Sequence, residues 1–150
     1  MYKKILVPLD GSEYGECSLP HVRAIATGCS VPEVVLLRVI EPIPSVGGYL
    51  NSEWIENAGK RAEAMIEDYL ARLAGTLKSE GIAASTKIAK GNAADEILTY
   101  AAKNKVDLII MGTHGSSGIV RWVLGSVADR VVRHASMPVL VVAPATCRAG

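Results

Sequence analysis

The sequence has almost no excess of charge of either sign. Its 16 lysine and arginine residues are balanced by 15 acidic residues, which gives a net charge of +1. This balance excludes bulk electrostatic attraction to nucleic acid or to an anionic membrane as the basis of function. Any anion that the chain binds must therefore be held by a local arrangement of groups.

Long apolar runs are absent as well. No run approaches the roughly 20 residues that are needed to span a bilayer, and the N-terminus lacks the apolar stretch of a secretory signal. The location that we expect is therefore the cytoplasm, without a membrane partner.

Cysteine is scarce, and the three cysteines are Cys17, Cys29 and Cys147. An odd number without paired metal-type spacing argues against a disulfide framework and against a zinc site. We expect these residues to be buried or incidental thiols.

What the sequence does contain is the balance of a globular domain. Hydrophobic residues make up 49% of the chain and charged residues 21%, which provides enough apolar surface for a core and disfavours disorder. A length of 150 residues suits one domain, residues 1–150, better than two. We therefore look for a single functional site.

Apolar runs and helical periodicities alternate along the chain. Short runs predict strands over residues 3–9, 33–39, 84–90, 107–111 and 139–142. Helices are predicted over residues 12 to about 27, 52–79, 92–104 and 125–134, and Pro20 either kinks the first helix or marks its first turn. This alternation predicts an α/β fold with a mostly parallel sheet of five strands and helices on both faces.

Two loops of this predicted fold carry residues suited to ligand binding. In an open parallel sheet, ligands bind beyond the carboxyl ends of the strands, where the strand order reverses. Asp10-Gly11-Ser12 follows the first strand, and a glycine-rich segment from Gly112 to Ser126 follows the fourth. Glycines let backbone N–H groups approach an anion, and Ser126 is placed at a helix N-terminus, which carries partial positive charge. The segment predicts a phosphate site that needs no cationic side chain.

A purely structural interpretation of the same segment stays open. Glycines in turns often serve geometry alone, and Ser126 with Asp129 has the spacing of a capping box. The segment also lacks the lysine of a Walker motif, and no GxGxxG pattern follows the first strand. A P-loop kinase and a nicotinamide dehydrogenase are therefore disfavoured.

Three motifs at their observed separations resemble the universal stress protein family. They are Val7-Pro8-Leu9-Asp10-Gly11-Ser12, Gly112-x2-Gly115-x9-Gly125-Ser126 and Pro138-Val139-Leu140-Val141-Val142. The resemblance covers about residues 2–142, and the complete glycine motif is similar to the ATP-binding branch. It implies a Rossmann-like, adenine nucleotide alpha-hydrolase-like open sheet of five parallel strands, with a nucleotide across the carboxyl ends of strands one and four.

The resemblance also implies a set of nucleotide-binding residues. Asp10 would bind the ribose, or would help to hold a Mg²⁺ or Mn²⁺ ion that accompanies the phosphates. ATP is the implied ligand, with AMP and ADP as alternatives. The remaining implied positions around the base, ribose and phosphates are Pro8, Leu9, Val39, Met111, Gly112, His114, Gly115, Gly125, Ser126 and Val127.

Two of these residues have a second interpretation. Asp10 is equally well suited to be a turn or helix-cap residue. His114 invites a catalytic role, but the sequence places no nucleophile with a matching acid beside it. We therefore treat His114 as a neighbour of the phosphates.

The resulting expectation is a nucleotide-dependent stress-response or signalling module with an unknown protein partner. The alternatives are a slow ATPase or phosphotransferase at the same site, and a nucleotide-free interaction module that uses an irregular loop at residues 41–51. The resemblance further implies a homodimer through the last strand, Val139 to Val142, and an apolar edge strand does need cover. Burial of that strand under residues 143–150 is the alternative.

Overall fold

The structure is a computed structural model that describes residues 1–43, 52–113 and 124–143. Strands and helices alternate along the described chain. Their order is β1 (Lys4–Pro8), α1 (Glu13–Glu16), α2 (Leu19–Gly28), β2 (Glu33–Ile40), α3 (Ser52–Ser79), β3 (Ala84–Lys90), α4 (Ala93–Lys103), β4 (Leu108–Gly112), α5 (Ser126–His134) and β5 (Val139–Val142).

The five strands form one sheet in the order β3-β2-β1-β4-β5, and every neighbouring pair is parallel. Strand β1 lies in the middle, where Ile5 is opposite Val34 of β2 and Leu108 of β4. The predicted α/β class, with an open parallel five-stranded sheet, is confirmed. The strand order reverses beside β1, because the chain first builds the β2 side of the sheet and then returns to the β4 side.

Both faces of the sheet are covered by helices. Ile5 and Val34 belong to a buried cluster that includes side chains of α2 and α3, whereas Leu6 and Val35 belong to a second cluster with side chains of α4 and α5. Successive strand residues point to opposite faces of the sheet. Because helices cover both faces, the residues on each face must be apolar, which explains the unbroken apolar runs of β1 and β2.

The helical region after β1 differs from the single helix that the sequence predicts. It consists of the four-residue helix α1 and the separate helix α2. Pro20 is the second residue of α2, where a missing N–H costs nothing. Pro20 therefore marks a first turn and does not kink a longer helix.

The cysteines differ in part from the expectation. Cys29 is a free and exposed thiol, but Cys17 is buried and disulfide-bonded. Of the expected buried or incidental thiols, Cys17 is buried as expected but is not a thiol, because an odd cysteine count does not prevent a single bridge. Within the described ranges, no helix is both long enough and apolar enough to cross a membrane.

Candidate functional site

A cleft of about 280 Å³ lies at the carboxyl ends of β1 and β4. The predicted site residues within the described part of the chain all line it. They are Pro8, Leu9, Asp10, Val39, Met111, Gly112, Gly125, Ser126 and Val127. His114 and Gly115 lie outside the described residues.

The turn after β1 places Asp10 at the cleft. Asp10 Oδ1 accepts hydrogen bonds from the Ser12 backbone N–H at 2.9 Å and from the Ser12 hydroxyl. Ser12 Oγ in turn accepts from the Gly15 N–H at 3.2 Å and caps α1. Asp10 is therefore a turn residue and also lines the cleft, so its two interpretations are compatible. Its second oxygen, Oδ2, makes no hydrogen bond to the described residues.

Two glycines bring α1 close to the ends of β1 and β4. A Cβ on Gly15 would lie 2.9 Å from Asp10 Oδ1, and a Cβ on Gly112 would lie 2.7 Å from the Tyr14 carbonyl oxygen. Real Cβ atoms do not approach other atoms so closely. Position 112 therefore requires glycine, because its contact is with backbone, whereas a side chain at position 15 would displace the Asp10 carboxylate. Gly112 thus has a packing role that the sequence pattern did not reveal.

One part of the cleft lining is apolar. Leu37 and Val39 of β2 meet Ala93 and Ile97 of α4 there, and Met111 closes the β4 side. We call these five residues the apolar slot. The sequence predicted Val39 and Met111 but missed the other three.

A signal for the missed residues of α4 was present in the sequence. Ala93 and Ile97 are four residues apart, so they share one face of a helix that begins at the carboxyl edge of the sheet. The start of α4 is also fixed to β2, because Glu41 Oε1 accepts a hydrogen bond from the Ala93 N–H at 3.0 Å. The slot is therefore held between β2 and α4.

The start of α5 also lines the cleft. Gly125, Ser126, Val127 and Ala128 line it, and the Gly125 N–H donates to the Thr113 carbonyl oxygen at 2.7 Å. The first N–H groups of a helix have no intrahelical partner and carry partial positive charge. This part of the lining is therefore suited to an anion.

The predicted capping box at α5 is wrong. A capping box requires its serine at the N-cap, but Gly125 is the N-cap and Ser126 is the first helical residue. Asp129 instead accepts hydrogen bonds from the Arg133 side chain at 3.0 Å. Because Ser126 lies one residue after the N-cap, no side chain caps the start of α5.

A polar cluster lies next to Asp10, outside the lining of the cleft. The Tyr69 hydroxyl of α3 donates to Glu16 Oε1 at 3.1 Å. Burial and the negative charges of Glu16 and Asp10 raise the pKa of Tyr69, which the nearby Arg38 only partly opposes. Tyr69 is therefore a neutral hydrogen-bond donor that connects α3 to α1.

The cleft has few groups that could perform acid–base chemistry. Asp10 is the one ionisable side chain among the described residues that line it. Within the described ranges, no group of three or more histidine, cysteine or acidic residues could hold a metal ion by itself.

Comparison with known proteins agrees with this architecture. The profile of the Universal stress protein family matches residues 1–143. The chain is also 36% identical over 142 residues to universal stress protein MJ0531 of Methanocaldococcus jannaschii, an alignment that covers 95% of this chain and 82% of the relative.

The chain belongs to the universal stress protein family.

Two solved structures of similar proteins support the assignment of the fold. MJ0577 of M. jannaschii superposes with a TM-score of 0.83 at 35% identity, over 95% of this chain and 96% of that chain. A universal stress protein in complex with cAMP superposes with a TM-score of 0.69 at 22% identity, over 95% and 96% of the two chains. At 22% identity, the comparison with this second protein supports the fold alone.

Proposed function

We propose that this universal stress protein binds an adenine nucleotide, ATP in the first place, and acts as a nucleotide-dependent module in stress response or signalling. The observation that carries the proposal is the composition of the cleft. Its lining combines an apolar slot, the N-terminus of α5 and the carboxylate of Asp10. A nucleotide has a matching set of parts, which are an apolar base, a hydroxylated sugar and anionic phosphates.

Each part of the nucleotide has a proposed position. The base fits the apolar slot, where Val39 and Met111 were predicted to lie. Asp10 Oδ2 is the acceptor for a ribose hydroxyl, because a charged acceptor strengthens a hydrogen bond. The phosphates fit the N–H groups at the start of α5 around Ser126 and Val127. His114 and Gly115 stay predictions as phosphate neighbours.

A divalent ion would have to enter with the nucleotide. Mg²⁺ is commonly held by one or two carboxylates together with phosphates of the substrate. The described lining offers one carboxylate, that of Asp10. This donor set fits an ion that is bound mainly by phosphates, and we propose Mg²⁺ or Mn²⁺ in this role.

Relatives give indirect support for the ligand. A universal stress protein of this fold was solved with cAMP, and one from Archaeoglobus fulgidus was solved with dAMP. At 22% identity both share the fold with this chain. The transfer of an adenine ligand to this chain belongs to the proposal.

The proposed function is tested by the nucleotide that the purified protein retains. We expect mass spectrometry of the released ligand to find an adenine nucleotide in the wild-type protein. The variant Ala93→Phe fills the slot with an aromatic ring and should lose that nucleotide. The control Ala102→Phe places the same ring on the exposed side of α4 and should keep it.

An equal amount of nucleotide in both variants would show that the slot does not hold the base. Circular dichroism of the two variants verifies that each is folded.

A second candidate function is a slow ATPase or phosphotransferase at the same site. Asp10 is the one ionisable side chain in the described lining, and acid–base catalysis needs a positioned partner. A single-turnover assay with ATP and Mg²⁺ separates the two functions. We expect no phosphate release above the buffer rate. If the wild-type protein releases phosphate and the Asp10→Asn variant does not, the result supports the enzyme instead.

We also propose a homodimer through β5. This strand lies at the edge of the sheet, and Val139, Leu140 and Val141 are only partly buried. An apolar edge strand favours pairing with another strand. Sedimentation should give twice the 15.9 kDa mass of the chain, whereas a monomer at all concentrations would contradict the proposal. A cytoplasmic location stays a prediction.

A further inference from the structure

The turn that carries Asp10 is contacted from several directions. Gly15 of α1 packs against the carboxylate, since a Cβ at position 15 would lie 2.9 Å from Asp10 Oδ1. Ser12 donates two hydrogen bonds to the same oxygen. Arg38 of β2 lies beside the next residue of the turn, with its Nη1 3.5 Å from the position of a Cβ on Gly11. The direction of the free oxygen, Oδ2, therefore depends on the position of α1.

Helix α1 has little apolar anchorage of its own. It has four residues, and Gly15 is the one that is buried. A short helix that buries no large side chain gains little from the hydrophobic core, so polar contacts contribute to its position. Two close approaches depend on that position, those of Gly15 to Asp10 and of the Tyr14 carbonyl oxygen to Gly112.

Tyr69 of α3 provides such a polar contact. Its hydroxyl donates to Glu16 Oε1 at 3.1 Å, and Glu16 is the last residue of α1. The Tyr69 ring packs against the buried cluster on this face of the sheet. The next residue of α3, Leu70, is fully buried there. The hydrogen bond therefore joins α1 to the anchored part of α3.

This hydrogen bond has a charged acceptor and a donor that keeps its proton. Burial and the charge of Glu16 raise the pKa of Tyr69, so the hydroxyl stays a donor. Both residues are partly buried, which limits competition by water. Hydrogen bonds to charged groups contribute more than those between neutral groups. The contact is therefore strong enough to influence where α1 lies.

The nearby cation has a different part in this cluster. Arg38 opposes the effect of the two carboxylates, Glu16 and Asp10, on Tyr69. Its Nε is buried and has no hydrogen-bond partner among the described residues. A charge without a directed hydrogen bond balances its neighbours but does not orient them. The directed contact to α1 comes from Tyr69.

We propose that Tyr69 is a positioning residue for the nucleotide site. Its hydrogen bond to Glu16 holds α1 against the turn after β1, and α1 in turn keeps Asp10 Oδ2 directed towards the ribose. Tyr69 lies outside the cleft lining and acts through α1. The inference rests on the proposed function, because it requires a ribose at Asp10.

A pair of ligands isolates this role. ATP and 2′,3′-dideoxy-ATP share the base and the triphosphate and differ in the ribose hydroxyls. Calorimetry gives the ratio of their dissociation constants. We expect the wild-type protein to prefer ATP by about tenfold and Tyr69→Phe to prefer it by about threefold or less. A purely structural loss would change both affinities by the same factor and would keep the ratio.

The matched control is Tyr2→Phe. It removes the same hydroxyl from another partly buried tyrosine, which lies before β1 at the opposite edge of the sheet. This variant should keep the wild-type ratio. Circular dichroism verifies that every variant is folded.

Variants of Glu16 test whether Tyr69 acts through this residue. Glu16→Gln keeps an acceptor for the Tyr69 hydroxyl and should retain most of the preference for ATP. Glu16→Ala should lose as much of it as Tyr69→Phe does. Because both changes remove one hydrogen bond, the double variant should lose no more than either single variant. Additive losses in the double variant overturn the inference.

The outcomes separate this inference from the proposed function. If the wild-type protein binds no ATP, both fail. If the wild-type protein prefers ATP and Tyr69→Phe keeps the full preference, Tyr69 does not position Asp10, and the nucleotide site stands. Equal binding of both ligands by the wild-type protein also overturns the inference, because Asp10 then does not bind the ribose.

Discussion

At the scale of single residues, Gly112 is constrained by its contact with α1. A Cβ there would lie 2.7 Å from the Tyr14 carbonyl oxygen. The backbone of α1 can approach the end of β4 only because residue 112 has no side chain. Gly112 therefore contributes to the shape of the cleft by allowing this contact.

We expect Gly112→Ala to lower the free energy of unfolding by about 1–3 kcal/mol, as overpacking does. The matched control is Gly75→Ala, since Gly75 lies in α3 with no atoms near its Cβ position. This control should raise the free energy by about 0.5–1 kcal/mol, because alanine favours a helix over glycine. Urea denaturation measures both, and a shift of the same sign in both variants would contradict the packing argument.

Asp10 has an observed role in the turn through Oδ1 and a proposed role in ribose binding through Oδ2. Ser12→Ala removes the cap of α1 and should cost about 1 kcal/mol of stability with little change in ATP affinity. Asp10→Asn keeps an acceptor for the Ser12 N–H but removes the charge, so we expect a smaller loss of stability and about tenfold weaker ATP binding. Calorimetry measures both affinities. Unchanged binding by Asp10→Asn would limit Asp10 to the turn.

The sequence left the two roles of Asp10 open because it does not show which oxygen each partner uses. It also gave no sign that a side chain at position 15 would displace the Asp10 carboxylate. That constraint arises from a contact with Asp10, five residues earlier, and depends on the turn into α1. Local patterns do not encode such a three-dimensional approach.

At the scale of elements, Asp107 connects the beginning of β1 to the beginning of β4. Its Oδ2 accepts hydrogen bonds from the N–H groups of Lys3 at 2.8 Å and Lys4 at 2.9 Å. These bonds favour the carboxylate and hold the pKa of Asp107 below its ordinary value of 3.8. The stabilisation is therefore present above pH 3.8 and is lost as the pH falls through the lower pKa of the folded state.

We expect Asp107→Asn to be less stable than the wild-type protein near neutral pH. The difference in the free energy of unfolding should shrink as the pH falls from about 5 towards about 2, because the wild-type carboxylate is then protonated. Urea denaturation along this pH series measures the difference. The exposed Asp68→Asn serves as the control, and a difference for Asp107→Asn that does not vary with pH would contradict the role of these hydrogen bonds.

The elements themselves follow closely from the sequence. Periodicity predicted α3 and β3 with the bounds that the structure has, because the pattern is long in α3 and bordered by Gly81 and Gly91. The start of α5 was predicted one residue early, at Gly125, whereas the predicted cap by Ser126 would require a start one residue later than the observed one. Glycine can be an N-cap as well as serine, so the sequence did not distinguish the two.

At the scale of the whole molecule, the cleft depends on elements that are far apart in the chain. The apolar slot combines β2, α4 and β4. Periodicity predicts each element but not the strand order that brings them together. The family resemblance implied only that a nucleotide lies across the carboxyl ends of strands one and four. The three slot residues that the sequence analysis missed are Leu37, Ala93 and Ile97. They belong to no motif, and only their position in the fold brings them to the cleft.

The central claim is that this cleft binds an adenine nucleotide. Isothermal titration calorimetry of ATP and Mg²⁺ into the protein, after removal of any retained ligand, tests it most directly. We predict a saturable heat with one ATP bound per chain, and competition by AMP for the same site. The absence of saturable binding up to millimolar ATP would contradict the account.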